Sequence, residues 1–234
     1  MRTEFALNEW DEESPEVKFT NIINQLLTHH EGPITKFTLD IHSLEISCPK
    51  IDDFIYFLTM NDIQHLVLRF PSNKPYKITF SLFTCLQLRH LTLHDCFLHP
   101  PSFFKEFDML ISLELCKVTI SSELLESLIS KCPLLEQLVL KNTEILATIE
   151  INAPMLRSFD FKGSISSICL KNVPCLAKAS LICDDSFMVA DYYFGFAEFF
   201  ESCSALEHLH MTCEFSVVVV VSLLHCYAIG LLLG

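Results

Sequence analysis

The sequence predicts an α/β leucine-rich-repeat solenoid. Short strands stack as a parallel concave sheet, and helices on the convex side give way to strands in the middle repeats. Three observations predict it. An apolar phrase of the form L-x-x-L-x-L recurs eight times along 234 residues. Its copies start 29, 25, 22, 25, 21, 20 and 30 residues apart, mostly within or near the roughly 20–29 residues of one leucine-rich repeat. Between copies, the apolar spacing changes from period two to the spacing of a helix.

The copies run in order through the chain. They are Ile34, Phe37, Leu39; Ile63, Leu66, Leu68; Leu88, Leu91, Leu93; and Leu110, Leu113, Leu115. The second half continues with Leu135, Leu138, Leu140; Leu156, Phe159, Phe161; a degraded Leu176, Ala179, Leu181; and Leu206, Leu209, Met211. The x-L-x-L portion alternates as a half-buried strand does, and stacked strands of this kind pool their apolar side chains into one core. Asp52–Asn61, Pro101–Met109 and Ser122–Lys131 carry apolar residues at helical spacing, and Ser121 and Ser122 before Glu123 form a helix start signal. Between Leu135, Leu156 and Leu176 lie two further phrases, Leu146, Ile149, Ile151 and Ile165, Ile168, Leu170. Ten residues between strand signals leave no room for a helix, so the convex side is expected to switch to strands over 141–175. The ninth-position Asn or Cys of a regular repeat is matched only by Cys96.

Composition narrows the function classes. Half of the residues are hydrophobic and 19% are charged, which argues against wholesale disorder. A net charge of −13 without a basic stripe disfavours nucleic acid. The eleven cysteines are odd in number and contain no CxxC pair. Cys85, Cys132, Cys169 and Cys203 sit in or beside apolar runs, as buried free thiols of a reducing compartment do. Met1–Glu16 is acidic and has no apolar signal core. Cytoplasm or nucleus is the expected location.

Alternation also predicts an outward surface. One row is Lys36, His65, His90, Ser112, Gln137, Ser158, Lys178, His208; the next is Thr38, Val67, Thr92, Glu114, Val139, Asp160, Ser180, His210. Their mixed signs and sizes suit a protein partner rather than a repetitive polyanion. The candidate partner-binding residues on this concave face are His65, Arg69, His90, Thr92, His94, Glu114, Gln137, Lys141, Asp160, His208 and His210.

Other constellations have plainer readings. Cys203, His208, His210 and Cys213 offer zinc-ligand types, but C-x4-H-x-H-x2-C is not a usual finger spacing, and both histidines fall at outward strand positions. His90, His94, Asp95, Cys96 and His99 suggest a nucleophile and base. Yet His90 and His94 belong to the concave face, while Cys96 occupies the buried cysteine place of its repeat. Five glycines (Gly32, Gly163, Gly195, Gly230, Gly234) cannot form a phosphate cradle. No catalytic, cofactor or metal residue is assigned, and the protein is expected not to be an enzyme.

Several stretches resemble plant F-box proteins with leucine-rich repeats and an FBD domain. They are HHEGPITKFTLDI (His29–Ile41), Ser81–Phe104, Leu110–Leu140, Ile151–Leu181 and Phe199–Met211. The phrase CPLLEQLVL (Cys132–Leu140) and the C-x-x-L-x-x-L-x-L-x-x-C phrase of Cys85–Cys96, followed by Pro100-Pro101, are the more specific ones. The resemblance implies the substrate-recognition part of an SCF-type ubiquitin ligase. A Skp-type adaptor would dock on the F-box, and the repeats would hold the protein target.

The sequence departs from that family at both ends. Met1–Pro15 has Trp10 but neither the leucine-proline opening nor the serine-x-x-tryptophan-arginine close of an F-box, and the resemblance stops at Cys213. The expected organisation is an acidic segment at 1–15, repeats over 16–213 and an apolar tail at 214–234, with the adaptor-docking segment missing. Phe215–Gly234 carries no Asp, Glu, Lys or Arg and is long enough to span a bilayer. The alternative reading is therefore a tail-anchored protein displaying its repeats to the cytosol. The preferred reading of the tail is an extension foreign to the family pattern.

Overall fold

A computed structural model of the chain describes residues 15–30, 32–42, 51–143, 149–163, 168–183 and 203–213. In chain order the elements begin with α1 (Pro15–Thr28), β1 (Lys36–Asp40), α2 (Ile51–Thr59), β2 (His65–Arg69) and β3 (Tyr76–Lys77). A 3-10 turn (Phe80–Thr84), β4 (His90–Phe97), β5 (Ser112–Thr119), α3 (Ser122–Ser130) and β6 (Gln137–Lys141) follow. The last are β7 (Ile149–Asn152), β8 (Ser158–Gly163), β9 (Ile168–Asn172), β10 (Lys178–Cys183) and β11 (His208–Cys213). The main sheet runs β1-β2-β4-β5-β6-β8-β10-β11, every neighbour parallel, with short β3 beside the far end of β4.

Strand alternation fills the core. Leu66, Leu91, Leu113, Leu138, Phe159 and Ala179 stand in one register row, and Leu39, Leu68, Leu93, Leu115, Leu140, Phe161 and Leu181 in the next. All are buried and belong to the interior of the stack. The leucines that open five of the eight phrases (Leu88, Leu110, Leu135, Leu156, Leu176) are also fully buried.

One turn delivers the chain into β4, β5, β6, β8, β10 and β11. The N–H of the opening leucine donates to the carbonyl three residues back: Leu88 to Cys85, Leu110 to Phe107, Leu135 to Cys132, Leu156 to Ala153, Leu176 to Val173, Leu206 to Cys203. Pro133, Pro154 and Pro174 occupy the second place of this turn, where proline's fixed φ fits. The residue that starts it is buried in every case. The following residues tie each coil to the one before. Gln64 O accepts from Arg89 and His90, Arg89 O from Ile111 and Ser112, and Ile111 O from Glu136 and Gln137. Two lone pairs let one carbonyl serve two donors.

The convex side behaves largely as the spacing predicts. Helices form at Ile51–Thr59 and Ser122–Ser130, the latter capped by Ser121, whose side chain accepts from Leu124 N–H. Farther along, β7 and β9 pair as a separate two-stranded parallel sheet. The intervals of 21 and 20 residues there are too short for a helix and its turns. Helix meets strand at α3 and β7, where a Glu126 carboxylate oxygen accepts from Glu150 N–H at 2.7 Å. Leu146 and Ile165, named for these phrases, lie outside the described residues.

The helix expected at Pro101–Met109 does not form; that stretch is irregular chain with a turn at each end. Its apolar residues are used differently. Phe104 and Phe107 are buried and pack with Phe83 in a three-ring cluster. Lys131 binds the segment from the end of α3: its Nζ donates to Phe104 O at 2.7 Å, and its carbonyl accepts from Phe107 N–H at 2.8 Å. The long strand β4 and the entry turn at Phe107 leave too little chain for a helix. The sequence reading also overlooked α1. Pro15 begins this helix, a place proline tolerates well, and Ile23 and Leu27, one turn apart, reach the core.

Candidate functional site

The candidate surface is the sheet face opposite the core. Register places His65, His90, Gln137 and His208 in one row with Lys36, Ser112, Ser158 and Lys178. Thr92, Glu114, Asp160 and His210 share the second row with Thr38, Val67, Val139 and Ser180. Arg69, His94 and Lys141 lie in a third, with Asp40, Cys116, Lys162, Ile182 and Thr212. All eleven candidate residues therefore lie on one face of one sheet, and each is half-buried or exposed.

Within that face they form two groups. Toward the first coils, the His65 and His90 rings stack with centroids 4.3 Å apart and planes 9° off parallel. Burial, then the neighbouring His65 and Arg89, lowers the His90 pKa. Next to them Thr92 Oγ1 donates to Glu114 Oε2 at 3.4 Å, and Glu114 Oε1 lies 3.8 Å from His94 Nε2. Burial and Arg69 lower the His94 pKa against the opposing pull of Glu114. Arg69 itself donates to Asp40 at 3.2 Å, and Asp40 also pairs with His42. The His42 contact, with Arg69 after it, holds the Asp40 carboxyl below its usual value despite partial desolvation.

Toward the last coils, Asp160, His208 and His210 border an open depression of about 540 Å³ together with Ser158, Lys178 and Ser180. His210 Nε2 and Thr212 Oγ1 are 3.1 Å apart. Gln137 and Lys141 stand between the two groups, on β6.

The two tempting constellations separate by side of the sheet. Cys96 is 1% exposed and faces the core beside Val118 in register, whereas His94 faces outward. Burial, with Asp95 adding to it, pushes the Cys96 thiol up to about 12. A thiol so placed is a poor nucleophile. Of the four residues of the zinc-like phrase, Cys203 is buried, whereas His208 and His210 are exposed. Cys213 ends β11, and its side chain lies outside the described residues.

Sequence reasoning missed Cys116. It faces His94 across the ladder and donates to Glu114 Oε1 at 3.6 Å. Extending the strand alternation one residue past Leu115 would have found it.

Stacked parallel strands of constant register, with a leucine core and convex helices and strands, define a leucine-rich-repeat solenoid. The family of the LRR repeats of the FBD-associated F-box protein At5g56370 matches residues 51–191, and the chain belongs to it. It is 38% identical to the F-box/FBD/LRR-repeat protein At1g13570 of Arabidopsis thaliana over 166 residues, 71% of this chain and 39% of that protein. It is 27% identical to the F-box protein At5g03100 of Arabidopsis thaliana over 143 residues, 60% of this chain and 46% of that protein. The chain thus spans less than half the length of either curated relative.

Proposed function

We propose that these repeats are a protein-interaction module, the target-holding part of an SCF-type F-box receptor. One observation carries the reading: eleven polar or ionisable side chains, contributed by six strands, lie on a single sheet face whose positions are fixed by backbone register. Rigid strands preorganise such a face, which lowers the entropy cost of holding a partner. Histidines, two carboxylates, Arg69, Lys141, Thr92 and Gln137 give a varied donor and acceptor pattern suited to one protein surface. The F-box for which these relatives are named supports the ligase context. In that context an F-box docks a Skp-type adaptor while the repeats present the target. The eleven residues carry the partner contact, and the reaction is performed elsewhere in the assembly; cytoplasm or nucleus is the setting.

The test is site-specific crosslinking. A photoreactive residue at Gln137 or Asp160 should capture a defined target, and the same group at exposed convex Tyr56 or Phe103 should not. Equal capture from both sides would sink the reading. The 234 residues alone are expected not to co-purify with a Skp-type adaptor, because no F-box motif is written in them; stable direct binding would contradict this.

A second reading rests on Phe215–Gly234, twenty residues with no Asp, Glu, Lys or Arg. This segment would anchor the repeats to a membrane. It lies outside the described residues, among which no helix is long and apolar enough to cross a bilayer. A reporter fused to the segment decides: recovery in the alkali-resistant membrane fraction supports the anchor, and full recovery in the soluble fraction removes it.

A further inference from the structure

Three different donor atoms converge on the sheet face between β4 and β5. His94 and Cys116 are register partners, and Glu114 precedes Cys116 by two residues, so all three project from the same side. One nitrogen, one carboxylate oxygen and one sulfur lie within 4.8 Å of one another. Glu114 Oε1 lies between the others, 3.8 Å from His94 Nε2 and 3.6 Å from Cys116 Sγ. His94 Nε2 is buried and has no hydrogen-bond partner among the described residues. Buried polar nitrogens are nearly always partnered, and Glu114 is too distant from this one to hydrogen-bond.

We propose that His94, Glu114 and Cys116 are a three-ligand site for a borderline-soft divalent cation, zinc foremost, with its fourth position open toward the sheet face.

The donor chemistry selects the class of ion. A thiolate, an imidazole and a carboxylate together suit zinc, whereas magnesium and calcium take oxygen ligands. The spacing fits as well. Metal–ligand distances of about 2.0–2.3 Å in a tetrahedral site place the ligand atoms roughly 3.3–3.6 Å apart. The two edges to Glu114, 3.8 and 3.6 Å, need only tenths of an ångström of contraction, and the edge between His94 and Cys116 closes from within 4.8 Å. Thr92 holds the second Glu114 oxygen and so orients the carboxylate from outside. Binding moves no electrons between oxidation states. The Cys116 thiol releases its proton to solvent, its sulfur lone pair forms the bond to the metal, and His94 binds neutral through Nε2.

Charge sets the strength. Thiolate and carboxylate together neutralise a dication, but Arg69 stands beside His94 in the row and Lys141 beside Cys116. Burial and Glu114 raise the Cys116 thiol, the two cations work against that rise, and the same cations oppose the metal. Arg69 is partly neutralised by Asp40 at 3.2 Å. The balance describes an exchangeable ion rather than a closed structural one. The site shares His94 and Glu114 with the proposed target-binding face, but either reading can hold without the other.

The experiment uses the full chain, stripped of metal, and cobalt(II) as the probe. One equivalent should produce a thiolate-to-cobalt charge-transfer band and the intense visible bands of four-coordinate cobalt, both erased by zinc. Cys116→Ser should abolish the charge-transfer band. His94→Gln and Glu114→Gln, at half-exposed positions that keep the fold by circular dichroism, should each weaken binding roughly tenfold or more. His65→Gln and the double variant His208→Gln, His210→Gln should bind as the parent does. Absence of the band at one equivalent, a band surviving Cys116→Ser, or equal weakening by the His208 and His210 changes would overturn the site.

Discussion

His65 and His90 face each other as register partners on adjacent strands, and their rings lie flat against one another at 4.3 Å. Two imidazoles so close cannot both protonate without mutual repulsion. His90 is therefore held below the ordinary value, by burial first and by His65 second. A histidine with a lowered folded-state pKa binds fewer protons folded than unfolded. Its penalty is absent above the unfolded value near 6.5. The penalty grows as pH falls toward the folded value and is constant below it. Proton NMR titration should show His90 rising toward its ordinary value in His65→Gln, though not fully, since burial remains. An unchanged His90 would mean the stack is not populated.

Lys117 sits at φ 52°, in the left-handed region. Asp95, at the matching place within β4, and Asn142, just past β6, have comparable φ values of 54° and 49°. Asp and Asn tolerate that region, whereas other L-residues pay roughly 1–2 kcal/mol there. The ion pair of Lys117 with Asp95, at 4.0 Å and largely exposed on the lysine side, offsets little. Lys117→Asn should therefore raise stability by about 0.5–1 kcal/mol in urea unfolding, and Lys117→Val should lower it.

Leu138 is fully buried, between Leu113 and Phe159 in register. Removing its branched end opens a cavity in the middle of the stack. Leu138→Ala should cost about 2–5 kcal/mol. Because each coil rests on its neighbours, the loss should appear as earlier hydrogen exchange in β5, β6 and β8 rather than in β1 or β11.

Cys85, Cys96 and Cys132 are all buried, and burial pushes each thiol up to about 12. The thiolate is the reactive form. Alkylation of the native protein at neutral pH, mapped by mass spectrometry, should label the half-buried Cys169 and Cys175 well before these three. Denaturant should equalise them.

The sequence and the structure agree where periodicity is the governing physics. The opening leucines, the two outward rows and the change to convex strands are all readable because alternation and coil length leave few alternatives. They part where a local pattern has two solutions. Phe104 and Phe107 at helical spacing serve equally well as anchors of a turn, and the grip of Lys131 on both decides for the turn. Helix α1 was unreadable for a related reason: its apolar face is short, and Ile23 and Leu27 gain meaning only from the core beside them.

By itself, the amino-acid order determined the coil period, the inward and outward identity of most strand residues, and the family. These are local consequences of alternation and repeat length. Only the tertiary structure decided which outward residues meet. His65 and His90 are 25 positions apart, and His94 and Cys116 22 apart. Each pair becomes adjacent because coil-to-coil register, set by shared backbone hydrogen bonds, converts one repeat length in sequence into a single strand spacing in space.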